Sequence, residues 1–190
     1  FLGHIISEEG IATDPTKTNA IAHWPTPTNV HEVRGFLGLC SYYRRFVDHY
    51  AEKSAGLTSL LRKNVRFRWT DECQESFEQL RRALTSPPIL AMPREPPEVP
   101  DGREGMYILD TDASDVSVGC VLSQVQDGVE KVIAYAARVL QPAQRNYCIT
   151  RRELYAVIVF TRQMRNYLLG RRWILRTDHS ALTWLKRTKE

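Results

Sequence analysis

Tyr107-Ile108-Leu109-Asp110-Thr111-Asp112 and Trp173-Ile174-Leu175-Arg176-Thr177-Asp178 decide how this chain is read. Each is a short apolar run closed by Thr-Asp, the pattern of a buried strand whose carboxyl end faces a ligand in an open α/β sheet. A lone aspartate after a strand also serves as a turn residue or helix cap, so either one taken singly says little. Two matching endings say more.

A helix predicted over 150–168 lies between them. On its wheel Glu153 lines up with Val157, Phe160 and Met164, at i+4, i+7 and i+11, so it opens the buried stripe. A carboxylate turned toward an apolar sheet must be paired, protonated or bound to a cation; the alternative is a first-turn glutamate facing the helix dipole. Asp112, Glu153 and Asp178 converging at one sheet end would repel one another unless a cation neutralised them. Oxygen ligands without sulfur or imidazole suit magnesium or manganese, and a two-ion site suits in-line attack of water on a phosphodiester.

Outward from these runs, strands are predicted over 106–112, 117–124 and 131–137, with Asp127-Gly128 as the hairpin turn. A strand over 173–177 and a helix from Ser180 complete an α/β layer with a mixed sheet. Residues 92–104, rich in proline without a hydrophobic period, read as an exposed linker. The preceding half reads as helical after a hairpin arm over 1–6 that turns at Glu8-Glu9-Gly10. Asp14 caps a helix with Pro15 at its first position, and Asn29 with Glu32 starts a longer one. A short helix over 51–61 and a half-buried strand over 65–69 follow, and Thr70 caps a last helix with Cys73, Phe77, Leu80 and Leu84 inward. The whole is α/β locally and α+β overall.

The chain has 190 residues, 43% hydrophobic and 25% charged, with net charge +4. That composition excludes a disordered tail, and no run of about 20 apolar residues marks a membrane span. The four cysteines are widely spaced, against a zinc site and in favour of a reducing compartment. Residues 138–190 hold 12 basic and 3 acidic side chains, a balance of +9. Such a concentration of cations fits a phosphate-binding surface, or a solvated arginine-rich helix face.

The chain resembles the Pol polyprotein of gypsy-type LTR retrotransposons over essentially its whole length. Phe1-Leu2-Gly3-His4 resembles the reverse-transcriptase primer-grip hairpin. Trp24-Pro25-Thr26-Pro27-Thr28 and Phe36-Leu37-Gly38-Leu39-Cys40-Ser41-Tyr42-Tyr43-Arg44-Arg45-Phe46 resemble its thumb. Phe67-Arg68-Trp69-Thr70 resembles the connection into an RNase H domain, whose motifs are matched by Leu109–Ser114, Glu153-Leu154 and Arg176-Thr177-Asp178-His179. The resemblance implies a helical thumb unit over 1–91, the linker over 92–104 and an RNase H-like domain over 105–190 that is truncated at its C-terminus.

By that resemblance Asp112, Glu153 and Asp178 are three of four metal-binding carboxylates, with two Mg2+ ions (Mn2+ as substitute) as cofactors, cleaving the RNA strand of an RNA–DNA hybrid. The fourth carboxylate is expected beyond Glu190. Polymerase fingers and palm are absent, so this piece is not expected to polymerise DNA, and its own nuclease activity is in question. Asp110 rivals Asp112, because alternation puts both on one strand face; Ser114 and His179 are read as supporting the site's ligands or as structural, and neither as catalytic. Gly3, His4, Arg34, Tyr43, Arg44, Arg45, Arg151 and Arg152 are the expected nucleic-acid contacts. One of Tyr42 and Tyr43 is alternatively core and the other surface.

The implied partners are the hybrid, the template-primer duplex and the remainder of the polyprotein, with no membrane. The implied location is an intracellular particle in the cytoplasm, with the nucleus as a second site. Two readings of other classes stay open: a nucleic-acid-binding remnant without catalysis, and a host-adopted protein-interaction module that kept the fold.

Overall fold

A computed structural model describes residues 3–95 and 102–178. The chain divides into two compact units, Phe1–Met92 and Pro93–Glu190.

Unit 1 begins with a hairpin of β1 (His4–Ser7) and β2 (Gly10–Thr13), antiparallel with His4 opposite Thr13. Asp14 then caps α1 (Pro15–Ala22), its carboxylate accepting from the Thr16 N–H at 2.9 Å. Asn29 caps α2 (Val30–Tyr42) by accepting from the Glu32 N–H, and Glu32 reaches back to the Thr28 N–H at 2.7 Å. The expected reciprocal cap is therefore present one residue out of register, on Thr28 rather than Asn29. Thr70 caps α5 (Asp71–Thr85), which buries Cys73, Phe77, Leu80 and Leu84 as its period requires.

These helices meet around Ile21, Val33, Phe36, Leu57 and Phe77, none of which retains any exposure. The Phe36 and Phe77 rings lie 4.7 Å apart. The helix expected over 51–61 is two short ones, α3 (Tyr50–Lys53) and α4 (Ala55–Ser59), broken at Ser54, whose hydroxyl donates to the Ala51 carbonyl. Gly56 of α4 passes so close to α5 that a Cβ would stand 2.5 Å from the Glu72 carbonyl oxygen. The strand expected over 65–69 does not form: Val65 and Arg66 are exposed in irregular backbone, because alternation without a neighbouring strand gives no ladder to join. Ile11 and Leu90 exchange backbone hydrogen bonds of 2.7 and 2.9 Å, so the end of the unit pairs with its opening hairpin.

Unit 2 is a mixed four-stranded sheet in the order β5-β4-β3-β6. Its strands are β3 (Tyr107–Ala113), β4 (Ser117–Gln126), β5 (Val129–Val139) and β6 (Trp173–Thr177). β3–β4 and β4–β5 are antiparallel, while β3–β6 is parallel. The Asp127-Gly128 turn takes φ of 57° and 72°, the consecutive positive values that the tight hairpin demands. After the short α6 (Pro142–Arg145), α7 (Ile149–Gln163) packs on β3 and β4, burying Glu153, Ala156 and Phe160. The helix predicted over 150–168 ends at Gln163, and Met164 leads into the short α8 (Arg165–Leu168).

Of the stretch expected as a linker, residues 93–95 belong to unit 2. The Arg94 N–H donates to Oε1 of the fully buried Gln124, whose Nε2 donates to the Arg94 and Gly105 carbonyls. The helix expected from Ser180, like Phe1, Leu2 and His179, lies outside the described residues. All four cysteines are free. Among the described residues no helix is long and apolar enough to cross a membrane.

Candidate active site

The parallel register sets the site. Leu109 pairs with Leu175, Asp110 with Arg176 and Thr111 with Thr177. Asp112, still within β3, and Asp178, just past the end of β6, come next, so both lie at the same end of the sheet. Glu153 reaches them from the first turns of α7. Carboxylate oxygens of Asp112, Glu153 and Asp178 lie within 4.8 Å of one another.

The three groups are not equivalent. Asp112 and Asp178 are exposed, while Glu153 is 3% exposed. One Glu153 carboxylate oxygen, Oε2, is buried and has no hydrogen-bond partner within the protein. Burial, and after it the charges of Asp178 and Asp112, push the Glu153 carboxyl up to about 7; the Ala113 N–H, hydrogen-bonded to that carboxylate, opposes the rise. An orphaned acceptor on a buried acid beside two further carboxylates fits a hard divalent cation, with no thiolate or imidazole in the cluster to favour a softer one.

Asp110, the rival to Asp112, is engaged elsewhere. The Arg176 guanidinium donates to it through Nη2 at 2.6 Å and also to Glu130 at 2.6 Å. Asp110 is accordingly neutralised by a partner that Asp112 lacks in that network.

Of the other expected contact residues, the structure separates two groups. In unit 1, Arg34, Arg44 and Arg45 are exposed on or just after α2. His4 sits among the rings of Tyr42, Tyr43 and Phe46, with centroids 5.4, 5.5 and 5.7 Å away. Tyr43 is 1% exposed and its hydroxyl donates to the Gly3 carbonyl at 2.8 Å. That hydroxyl is committed to the protein, so Tyr43 is the core tyrosine of the pair and Tyr42, half exposed, is the surface one.

In unit 2, Arg151 is exposed and its guanidinium lies 4.2 Å from the centre of the Tyr147 ring. Arg152 turns inward instead. Its Nη1 donates to the Ser114 carbonyl at 3.0 Å and to the Asp115 carboxylate. Its side chain is 11% exposed, which leaves little surface for a phosphate. Arg152 is thus not the nucleic-acid contact expected of it; in one dimension it is indistinguishable from the exposed Arg151 beside it. The Ala113 N–H was missed altogether, since backbone donors carry no sequence mark.

Comparison with known proteins follows the same lines. Residues 69–175 match the RNase H-like domain found in reverse transcriptase. The chain is 38% identical, over all of its length, to the retrovirus-related Pol polyprotein from transposon 297 of Drosophila melanogaster, covering 17% of that protein. It is 33% identical over 88% of its length to the transposon Tf2-3 polyprotein of Schizosaccharomyces pombe, covering 12% of it. The chain thus spans less than a fifth of these relatives.

Among solved structures, the dRH form of the foamy viral protease-reverse transcriptase in complex with double-stranded DNA matches all of this chain and 32% of its own, with a TM-score of 0.80 at 21% identity. The foamy viral protease-reverse transcriptase in complex with RNA/DNA hybrid matches 99% of this chain and 25% of its own, with a TM-score of 0.75 at 21% identity. At that identity the likeness establishes the fold, a mixed α/β arrangement as the sequence predicts.

Proposed function

Because the chain belongs to the RNase H-like domains found in reverse transcriptases, we propose that it hydrolyses the RNA strand of an RNA–DNA hybrid at Asp112, Glu153 and Asp178. The observation that carries this reading is the gathering of three carboxylates around a buried glutamate whose Oε2 has no partner. Those three side chains would hold Mg2+, with Mn2+ as the alternative. Two such ions, when bound, supply the positive charge that activates a water and stabilises the leaving oxygen of a phosphodiester.

The chain's own groups prepare the site. Glu153 keeps its carboxylate against the Ala113 N–H, and a bound cation would favour its ionised form against the desolvation that raises its affinity for the proton. Asp112 and Asp178, both exposed, present their oxygens outward at the sheet end, where a nucleic-acid backbone can approach. Arg176 keeps Asp110 away from this work by ion pairing.

Exposed Arg151 near the start of α7 is the proposed phosphate contact in unit 2. Arg34, Arg44 and Arg45, with the surface ring of Tyr42 and the Gly3-His4 corner, are the proposed template-primer contacts of unit 1. Contacts of this kind position a backbone and read no sequence, so discrimination of hybrid from DNA falls to groove shape and the 2′-hydroxyl.

The test is a labelled RNA–DNA hybrid with Mg2+, given to the chain and to a form extended beyond Glu190. Glu153→Gln and Asp178→Asn are expected to abolish cleavage while retaining hybrid binding. Cleavage surviving both substitutions sinks the site. Binding by the wild type without cleavage in either form would replace the enzyme by a non-catalytic nucleic-acid-binding remnant.

A further inference from the structure

Arg152 occupies a position that elementary helix electrostatics disfavours. It lies near the start of α7, where the helix dipole is positive and acidic residues are the usual occupants; the first turn of α7 holds none. Its neighbour Arg151 adds a like charge. A long cationic side chain is nevertheless largely buried there, with its Nε buried and unpartnered. Desolvating a guanidinium at the unfavourable end of a helix calls for a compensating contact.

The contact is a bridge between two backbone segments. Nη1 of Arg152 spans the Ser114 carbonyl, at 3.0 Å, and the Asp115 carboxylate. Arg152 precedes Glu153 directly, and Ser114 stands two residues after Asp112. The far end of the bridge is itself braced. The Ser114 N–H donates to the Ser117 carbonyl at 2.8 Å, and the Ser114 Oγ accepts from the Ser117 N–H at 3.0 Å. Through this one nitrogen the helix carrying Glu153 is tied to a stiff turn that continues the strand carrying Asp112.

We propose that Arg152 is a positioning residue for the carboxylate cluster, fixing the spacing of Glu153 and Asp112 at which a divalent cation is captured. This rests on the reading of the three carboxylates as a cation site. The Ala113 N–H bond to Glu153 already links α7 to the β3 end, and the Arg152 bridge adds a second link that resists the repulsion of the Glu153 and Asp112 carboxylates when both are charged. The bridge holds them in place beforehand, so less of the cation's binding energy is spent on gathering ligands. The role is geometric. Burial, Asp178, Asp112 and the Ala113 N–H all act on the Glu153 carboxyl more strongly than the charge of Arg152 does.

Direct Mn2+ binding, followed by electron paramagnetic resonance of the free ion, separates geometry from charge. Removing a cation from beside a dication site should by charge alone tighten Mn2+ binding. Positioning gives the opposite sign: Arg152→Met is expected to weaken binding about tenfold or more, the scale of losses when groups supporting metal ligands are removed. Arg152→Lys keeps the charge but ends short of the Nη1 position, and its affinity is expected between the other two. Equal or tighter binding by Arg152→Met overturns the proposal. Should that variant lack the wild-type circular dichroism spectrum, Arg152→Lys decides: a severalfold loss supports positioning and an unchanged affinity overturns it. Glu153→Gln serves as the control on the site. If it binds Mn2+ like the wild type, the carboxylate reading itself fails, whatever Arg152 does.

Discussion

Asp110 and Arg176 face each other across parallel strands as register partners, and their side chains close the same pairing as an ion pair, with Nη2 at 2.6 Å from the carboxylate. Asp112, two residues further along the same strand, belongs to the three-carboxylate cluster instead. One strand therefore presents two aspartates with different employment.

Substitution should expose the difference. Asp110→Asn is expected to leave hybrid cleavage within a few-fold of wild type, and Asp112→Asn to abolish it. The Asp110–Arg176 pair is partly exposed, so breaking it should cost about 0–1 kcal/mol in urea unfolding. Loss of cleavage on Asp110→Asn with Asp112→Asn active would reverse the assignment.

The Glu153 carboxyl gives metal-free protein an unusual pH profile. In EDTA its proton is held up to about 7 in the folded chain, against 4.5 ordinarily. Between those values the folded state binds more protons than the unfolded one, so stability falls as pH rises through the window. Below it both states are protonated and the dependence vanishes. Thermal melts at either end of the window should show this decline, and Glu153→Gln should flatten it. Mg2+ added above the window should raise the melting temperature of the wild type and not of the variant.

At the hairpin corner the Gly3 carbonyl accepts from the Asp14 N–H at 3.1 Å and from the Tyr43 hydroxyl at 2.8 Å. Tyr43→Phe deletes the bond to the Gly3 carbonyl and should cost about 0.5–1.5 kcal/mol in urea unfolding. Gly3→Ala should also destabilise, because Gly3 has φ of +74° and a Cβ there would meet the Tyr43 hydroxyl at 3.0 Å. Faster amide exchange confined to β1 and β2 would locate the effect; unchanged exchange would refute it.

Gly56 is required by proximity rather than by turn geometry. A methyl group there would press on the Glu72 carbonyl and the Ser76 hydroxyl, so Gly56→Ala should cost about 1–3 kcal/mol. A urea midpoint equal to the wild type would mean that α4 can slide off α5 freely.

Unit 1 should bind nucleic acid by charge. Arg34→Ala and Arg44→Ala are each expected to weaken duplex binding alike for all sequences, and to reduce the slope of log affinity against log salt by about 1. A slope unchanged by both would remove these arginines from the interface.

What the sequence disclosed was chiefly local. Asp14, Asn29 and Thr70 cap where they should, because a cap depends on residues within one turn. Asp127-Gly128 forms its turn for the same reason. Glu153 could be placed on the buried stripe because helical period is one-dimensional information. Contacts between distant segments were illegible. Alternation over 65–69 suggested a strand but could not supply a partner. The three-and-four spacing of Val33, Phe36, Leu37, Cys40 and Tyr43 turns Tyr43 rather than Tyr42 inward, but nothing in the sequence marks Gly3 as its partner. The doublet Arg151-Arg152 gave no sign that one side chain points out and the other in, although a basic pair at a helix start was itself an anomaly worth following.

The backbone exchange between Ile11 and Leu90 has a consequence for biosynthesis. Its two halves are separated by nearly the entire first unit, so the loop it closes cannot form until the last helix of that unit has left the ribosome. A nascent chain halted before Leu90 would hold its opening hairpin without that latch. Completion of the first unit is therefore a late, long-range event, timed by synthesis of the segment that leads into the second.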